Sequence, residues 1–436
     1  MENTLAASRK AAAFGRFSAQ SGSAIASTSH TDGSGTMKPL SARALKVKES
    51  STLAITAKAK ELAAAGEGLI AFTAGEPDYD TPEHIKEAAM QAARDGFTKY
   101  TATPGIIELR RAICKKLKDD NGLSYEPSQI IVSNGAKHSL SNIFCALLNE
   151  GDEVIMPAPY WLTYPELVAL SGGVSRYVHG DSGNGYKPTA AAIREAVTPK
   201  TKAILINSPN NPSGAVYGRD ELSAVAAIAA ENDLYIISDE IYEKLIYDDA
   251  KPHVSIASLG PDAFARTIVV NGYSKSYSMT GWRVGYTASG KEIAAVMANI
   301  QSHQTSNINT LTQKAAIAAQ EGDQDCIESM RLSFKKRKEL MCGLVSRIEG
   351  VKAARPDGAF YLFADVSALF GKKASKGREI ASAADFAEFL LDEQKLAIVP
   401  CADFGYPNHV RLSYACSEES INEGVRRLGE FVKGLA

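Results

Sequence analysis

Apolar positions in this chain gather into short, wholly hydrophobic runs, and amphipathic stretches separate one run from the next. The runs read QIIVS (129–133), DEVIMPAPYW (152–161), AILIN (203–207), LYIIS (234–238) and TIVVN (267–271). Apolar runs of this length, bounded by turn residues and rich in Ile and Val, are strands buried on both faces. Helical patterns fill the gaps, as in NGAKHSLSNIFCALL after the first run and residues 219–231 after the third. Such alternation predicts an α/β protein whose mostly parallel central sheet is flanked by helices on both faces.

The pattern changes at both ends of this region. Residues 52–65 repeat apolar positions at helical spacing and stop at Gly66. LIAFTAGEPDYDTPE (69–83) then gives a short strand and a turn at Gly75 and Pro77. A new helix should follow, with Thr81 as N-cap, Pro82 in its first position and Glu83 in an acidic first turn. FTKYTATPG places Tyr100 in a loop ahead of an amphipathic helix. Residues 291–320 are helix-rich and bridge to a second α/β stretch. That stretch reads helix 327–348, strand 358–366, helix 384–393, strands 396–400 and 409–415, and a final helix. The predicted division is an N-terminal segment, 37–80, packing with a smaller domain, 326–436, beside a large domain, 81–325.

Length and composition agree with that division. A chain of 436 residues exceeds one ordinary domain, and 45% apolar with 22% charged residues is a globular composition. The formal net charge of −2 leaves no basic footprint for nucleic acid and no excess for a membrane surface. The six cysteines are scattered without a CxxC pair, which fits a reducing compartment and offers no metal-site spacing. Residues 1–36 stand apart, rich in Ser, Ala, Gly and Thr, with Arg9, Lys10 and Arg16 against Glu2 and Asp32. They read as a disordered leader, either a transit peptide or an extension ahead of Met37; no apolar core marks a secretory signal. The expected location is the cytoplasm, or an organelle matrix if the leader is a targeting segment.

Candidate chemistry lies at the ends of the strands, where open parallel sheets bind ligands. Lys275 follows the TIVVN run and Arg283 lies eight positions later. Such a pair suits a carbonyl cofactor carrying phosphate, the lysine forming a Schiff base and the arginine gripping the anion. Gly135, Ala136 and Lys137 open a helix directly after a buried strand, which aims backbone N–H groups at one point. Asn211 and Asp239 follow two further strands. Asp239 has an ordinary alternative as the N-cap of a helix EIYEKL, on which Tyr242 would share its face. Trp161 is either core or a flat face for a planar ring. Gly75 is either a turn device or a place where a ligand approaches the backbone. In HVRLSYA the strand period sets Val410, Leu412 and Tyr414 on one face and Arg411 on the other. Arg411 is solvated there, or it faces a cleft and binds a carboxylate through its fork.

Taken together, SPNNPSG, SDEIYE, YSKSYSMTGWRVGY and HVRLSYA stand in the order and comparable spacing of one family. From residue 38 to 436 the chain resembles the class I aminotransferases of fold type I, which use pyridoxal 5′-phosphate (PLP). FTAGEPDYDTPEHIKEA, SNGAKHSL and PAPYWLTYPE are similar to its bacterial-type aspartate aminotransferase branch, which includes prephenate aminotransferases. The resemblance implies that Lys275 is the Schiff-base lysine and proton carrier, that Asp239 partners the pyridinium nitrogen, and that Asn211 and Tyr242 bond the ring oxygen. It implies phosphate binding by Arg283, Ser274 and the backbone of Ala136 and Lys137, with Trp161 stacked on the ring beside the substrate. Tyr100 would reach the phosphate of the neighbouring subunit in a homodimer. Arg411 would clamp the substrate α-carboxylate with Asn211 and the backbone of Gly75. Lys137, helped by Lys48 and Thr52, would read a distal carboxylate. Gly272 stands where the family has a phosphate-binding hydroxyl, which puts one hydrogen bond in doubt.

The implied reaction is ping-pong transfer of an amino group from L-aspartate to 2-oxoglutarate. The alternatives are prephenate, aromatic or alanine transamination, and a PLP-dependent C–S lyase on the same scaffold. A ligand-sensing regulator is the non-enzymatic rival, and residues 1–36 are too short and too rich in Ser and Gly for its DNA-binding module. The expected partners are small amino acids and 2-oxo acids, without nucleic acid or membrane.

Overall fold

The structure is a computed structural model that describes residues 38–47, 55, 57, 59, 61, 66, 68–249 and 251–436. Most of the predicted helix 52–65, with Thr52 and Lys48, lies outside the described residues; within it Ile55, Ala57, Ala59 and Glu61 are helical. The unit Met1–Ala42 contributes only residues 38–42 to the description, all exposed and without helix or strand. Everything below concerns the unit Arg43–Ala436.

Its strands are β1 (Ile70–Ala71), β2 (Ile130–Ser133), β3 (Glu153–Ala158), β4 (Val174–His179), β5 (Thr201–Asn207), β6 (Tyr235–Asp239) and β7 (Thr267–Gly272). They continue with β8 (Gly285–Ala288), β9 (Lys352–Ala353), β10 (Tyr361–Asp365), β11 (Leu396–Ala397), β12 (Val399–Pro400) and β13 (His409–Ser413). Seven of them form the central sheet in the order β2-β8-β7-β6-β5-β3-β4. Only β8 runs antiparallel to its neighbours, β2 and β7; the β7-β6, β6-β5, β5-β3 and β3-β4 pairs are parallel. The mostly parallel sheet read from the sequence is therefore present. Ile131, Ile155, Ile204, Ile237 and Ile268 are buried along its middle. Burial of each such side chain contributes about 1.5–3 kcal/mol, which leaves the strand ends as the places for polar groups. Ser133, Asn207, Asp239 and Asn271 occupy those ends and are buried.

Two strands of this sheet have no all-apolar run to announce them. β4 is an edge strand with exposed Val174 and Tyr177, and β8 reads GYTA inside the glycine-bearing stretch after Lys275. The C-terminal strands form an antiparallel sheet in the order β12-β13-β10-β9, while β1 pairs in parallel with β11. LAIVP is thus not one strand, because its first half joins β1 and its second half joins β13. The helix-rich 291–320 stretch resolves into helices Lys291–Gln304 and Thr310–Glu321.

Two local expectations fail for identifiable reasons. The helix Glu83–Arg94 has Pro82 as its N-cap residue and no side-chain cap. Thr81 is committed elsewhere: its hydroxyl donates to the Ser278 carbonyl at 2.7 Å and accepts from Trp282 Nε1 at 2.9 Å. No helix follows Asp239 either. Residues 241–244 form a turn, and Asp239 accepts the Ile241 N–H at 3.2 Å within it. Among the described residues, no helix is long and apolar enough to cross a membrane.

Candidate active site

The carboxyl ends of β2, β5, β6 and β7 converge on a cavity of about 340 Å³. Its walls bring together Gly75, Ala136, Lys137, Trp161, Asn211, Asp239, Tyr242, Ser274, Lys275, Arg283 and Arg411. Of the residues singled out in the sequence, Tyr100 is set apart; it is 91% exposed and lines no part of this cavity. Lys48 and Thr52 lie outside the described residues.

Lys275 sits three residues beyond β7, with its ammonium donating to the Gly75 carbonyl at 2.6 Å. Burial pushes its pKa down to about 8, and Arg411 and Arg283 act in the same direction against Glu76 and Asp239. Asp239 closes β6 and is 3% exposed. Its Oδ2 accepts the Tyr164 hydroxyl at 2.7 Å and its Oδ1 the Ile241 N–H. Burial still raises its pKa to about 6, because those two hydrogen bonds only partly offset desolvation. Tyr242 is buried, its phenol driven well above the ordinary range by burial, and its oxygen lies 3.0 Å from that of Tyr361.

Arg411, 2% exposed, reaches the cavity from β13. Its Nη1 donates to Asn211 Oδ1 and its Nη2 to the Thr73 carbonyl, both at 3.1 Å, while its buried Nε has no partner. The guanidinium lies 4.5 Å from the Tyr361 ring centre. Asn211 is fixed in turn by its own N–H, which donates to Asn207 Oδ1 at 2.9 Å. The solvated alternative for Arg411 is therefore excluded; its Nε–H and one N–H on each Nη remain for a ligand.

At the other end, Gly135 precedes the helix Ala136–Leu147 with φ of +80°, a conformation that favours glycine. A Cβ there would stand 2.6 Å from Arg283 Nη2, so the arginine and the helix start share one concave corner. Unpaired N–H groups at a helix start together with a guanidinium make an anion site. Lys137 lies above Trp161, its Nζ 5.0 Å from the ring centre. Its pKa is lowered by burial and by Arg283, and among the described residues it forms no salt bridge to an acidic group. The arrangement can hold a planar anionic ligand between Trp161 and the β5–β6 rim, with a nucleophilic amine at one edge.

Tyr164, Asn207 and Tyr361 are among the lining residues that the sequence did not single out. Tyr164 hides in a mostly apolar helix and Tyr361 in an apolar strand, so neither carries a local signal of a polar task. Asn207, the last residue of AILIN, was open to the same strand-end reasoning as Asp239.

Comparison with known proteins places this chain in a family. Residues 67–428 match the model described as aminotransferase class I and II. An aspartate aminotransferase of Bacillus sp. strain YM-2 is 49% identical over 91% of this chain and 100% of its own length. A probable aspartate/prephenate aminotransferase of Aquifex aeolicus is 47% identical over 90% of this chain and 98% of its own. Among solved structures, the Rhizobium meliloti aspartate aminotransferase superposes with a TM-score of 0.88 at 37% identity, covering 92% of this chain and 100% of that one. The Thermus thermophilus aspartate aminotransferase with maleate gives 0.85 at 42% identity, over 91% and 100%. The chain belongs to the class I and II aminotransferase family.

Proposed function

We propose that this enzyme is a PLP-dependent aspartate aminotransferase, moving the amino group of L-aspartate to 2-oxoglutarate and releasing oxaloacetate and L-glutamate. The observation that carries the reading is Asp239, a buried carboxylate with no salt bridge among the described residues, on the cavity that also holds Lys275 and Arg411. A buried anion without a cation is costly unless a ligand supplies one. A protonated pyridine nitrogen fits that need, and the corner of Gly135, Ala136 and Arg283 fits a phosphate.

When bound, the cofactor supplies the electron sink that makes the substrate Cα–H acidic. The chain does the rest. Lys275 holds the cofactor and, as a free amine with a depressed pKa, carries the proton from Cα. Asp239 keeps the ring nitrogen protonated by opposite charge, and Tyr242 and Asn211 hydrogen-bond the ring oxygen. Ser274, Arg283 and the N–H groups of Ala136 and Lys137 bind phosphate, and Trp161 covers the ring. Arg411 takes the substrate α-carboxylate, with Asn211 and the Gly75 backbone beside it. Lys137, on the cavity wall and without a salt bridge among the described residues, takes the distal carboxylate.

Tyr100, almost fully exposed, reaches the phosphate of a second copy in a homodimer. The proposed division of the chain follows the two main sheets: 81–325 binds cofactor and 326–436 forms the smaller domain, to which β1 of the N-terminal segment is joined through the β1–β11 pair.

Loading the protein with PLP and supplying L-aspartate with 2-oxoglutarate tests the reaction. Equimolar oxaloacetate and glutamate, with parallel double-reciprocal plots, are expected. Formation of neither product would sink the proposal. Prephenate as acceptor is the second reading, favoured by the aspartate/prephenate names among the relatives, and belongs in the same assay.

A further inference from the structure

The carboxylate of Asp239 does not stand alone at the end of β6. Tyr164, 1% exposed, donates its hydroxyl to Asp239 Oδ2 at 2.7 Å, and that hydroxyl has no other acceptor among the described residues. The tyrosine comes from the helix Thr163–Leu170, which belongs to the β3–β4 side of the sheet. Its backbone N–H donates to the Trp161 carbonyl at 2.9 Å, and its ring meets the indole edge-on with centroids 5.4 Å apart. One short turn therefore carries both the flat face over the cavity and the donor beneath it.

We propose that Tyr164 is a positioning residue for transamination: its phenol holds Asp239 as an oriented anion, so two side chains together fix the charge that meets the cofactor's ring nitrogen. The proposal rests on the PLP reading above. Each carboxylate oxygen accepts more than one hydrogen bond. Oδ1 is aligned by Ile241 N–H and Oδ2 by Tyr164, which sets the plane of the group and leaves lone pairs for the ligand.

The other ionisable groups acting on Asp239 cannot do this. Glu240 and Tyr242 disfavour its charge, and Lys275 acts from a distance without a hydrogen bond to it. Without the phenol, desolvation is opposed by one backbone N–H and the distant charge of Lys275. The shared proton then moves from the ring nitrogen toward the carboxyl, and the electron sink weakens.

The test is Tyr164→Phe, which keeps the buried ring and deletes the donor. Wild-type and variant are loaded with PLP isotope-labelled at the ring nitrogen, and the nitrogen chemical shift is read at neutral pH. A one-unit rise in the carboxyl pKa corresponds to about a tenfold change in where the proton resides. The expected result is a protonated shift in the wild type and a variant shift displaced toward unprotonated pyridine. kcat should fall about tenfold while KM for aspartate changes little. An unchanged nitrogen shift in a loaded variant overturns the role of Tyr164 and leaves the PLP assignment standing. A wild type that takes up no cofactor, or binds it with an unprotonated ring, overturns the functional reading and this inference with it. If Tyr164→Phe fails to fold, 3-fluorotyrosine is placed at 164 and the Asp239 carboxyl is titrated in cofactor-free protein. The more acidic donor should lower the midpoint; no movement overturns the proposal.

Discussion

At the scale of single residues, the site is a set of charges held away from their ordinary states. Asp239 shows the consequence for stability. Its carboxyl titrates near 6 when folded, above an unfolded value of about 3.9, so between those values the native state binds more protons. Stability of the cofactor-free protein is therefore lost as pH rises through that window. Asp239→Asn should stabilise the cofactor-free protein by about 1–3 kcal/mol at pH of about 7 and by almost nothing near pH 4. Urea denaturation at the two pH values checks this, and equal effects at both would refute a buried charge. Lys137 offers a test of specificity. Lys137→Ala should cost dicarboxylic substrates about 1–3 kcal/mol in kcat/KM and leave a monocarboxylic amino donor nearly unaffected. Steady-state kinetics with aspartate and alanine compare the two; a uniform loss would make Lys137 a phosphate ligand only.

How much of this was legible follows from where each residue sits. Lys275, Asp239, Asn211 and Gly135 lie within four residues of the ends of apolar runs, so the rule for parallel sheets exposes them. Tyr164 and Tyr361 act through partners 75 and 119 positions away, Asp239 and Tyr242, and no local pattern encodes such pairings. Arg411 was ambiguous because the strand period gives two faces without saying which one is solvent. Burial against Tyr361 and Asn211 decides it.

Among the elements, the helix start at Gly135 carries the anion corner. Its φ of +80°, and the 2.6 Å that would separate a Cβ there from Arg283 Nη2, leave little room for a side chain. Gly135→Ala should destabilise the protein by about 1–3 kcal/mol through backbone strain. It should also weaken PLP binding about tenfold or more, the loss expected for one charge-assisted contact. Equilibrium dialysis measures the affinity; unchanged binding would remove this corner from the phosphate site. Element boundaries were the least legible part of the chain. Thr81 has the chemistry of an N-cap, yet a carbonyl and an indole distant in sequence use its hydroxyl. LAIVP looks like one strand because hydrophobicity does not record which sheet each half joins.

The whole molecule presents Tyr100 to its surroundings, 91% exposed on a loop outside the cavity. If it completes a partner's site, Tyr100→Ala should leave folding stability within about 0.5 kcal/mol while lowering the affinity for PLP. Mixing Tyr100→Ala protomers with inactive Lys275→Ala protomers should then restore one intact site per mixed dimer. Recovery of high-affinity PLP binding checks this, and no recovery in verified mixed dimers would rule out the shared site. The α/β architecture itself was legible throughout, because five all-apolar runs leave few other solutions. The central claim is that Lys275 is the covalent anchor for PLP. Borohydride reduction of the PLP-loaded protein, followed by peptide mass mapping, tests it most directly. The expected result is cofactor mass on the peptide holding Lys275 and none in Lys275→Ala; cofactor on another lysine, or on none, would contradict it.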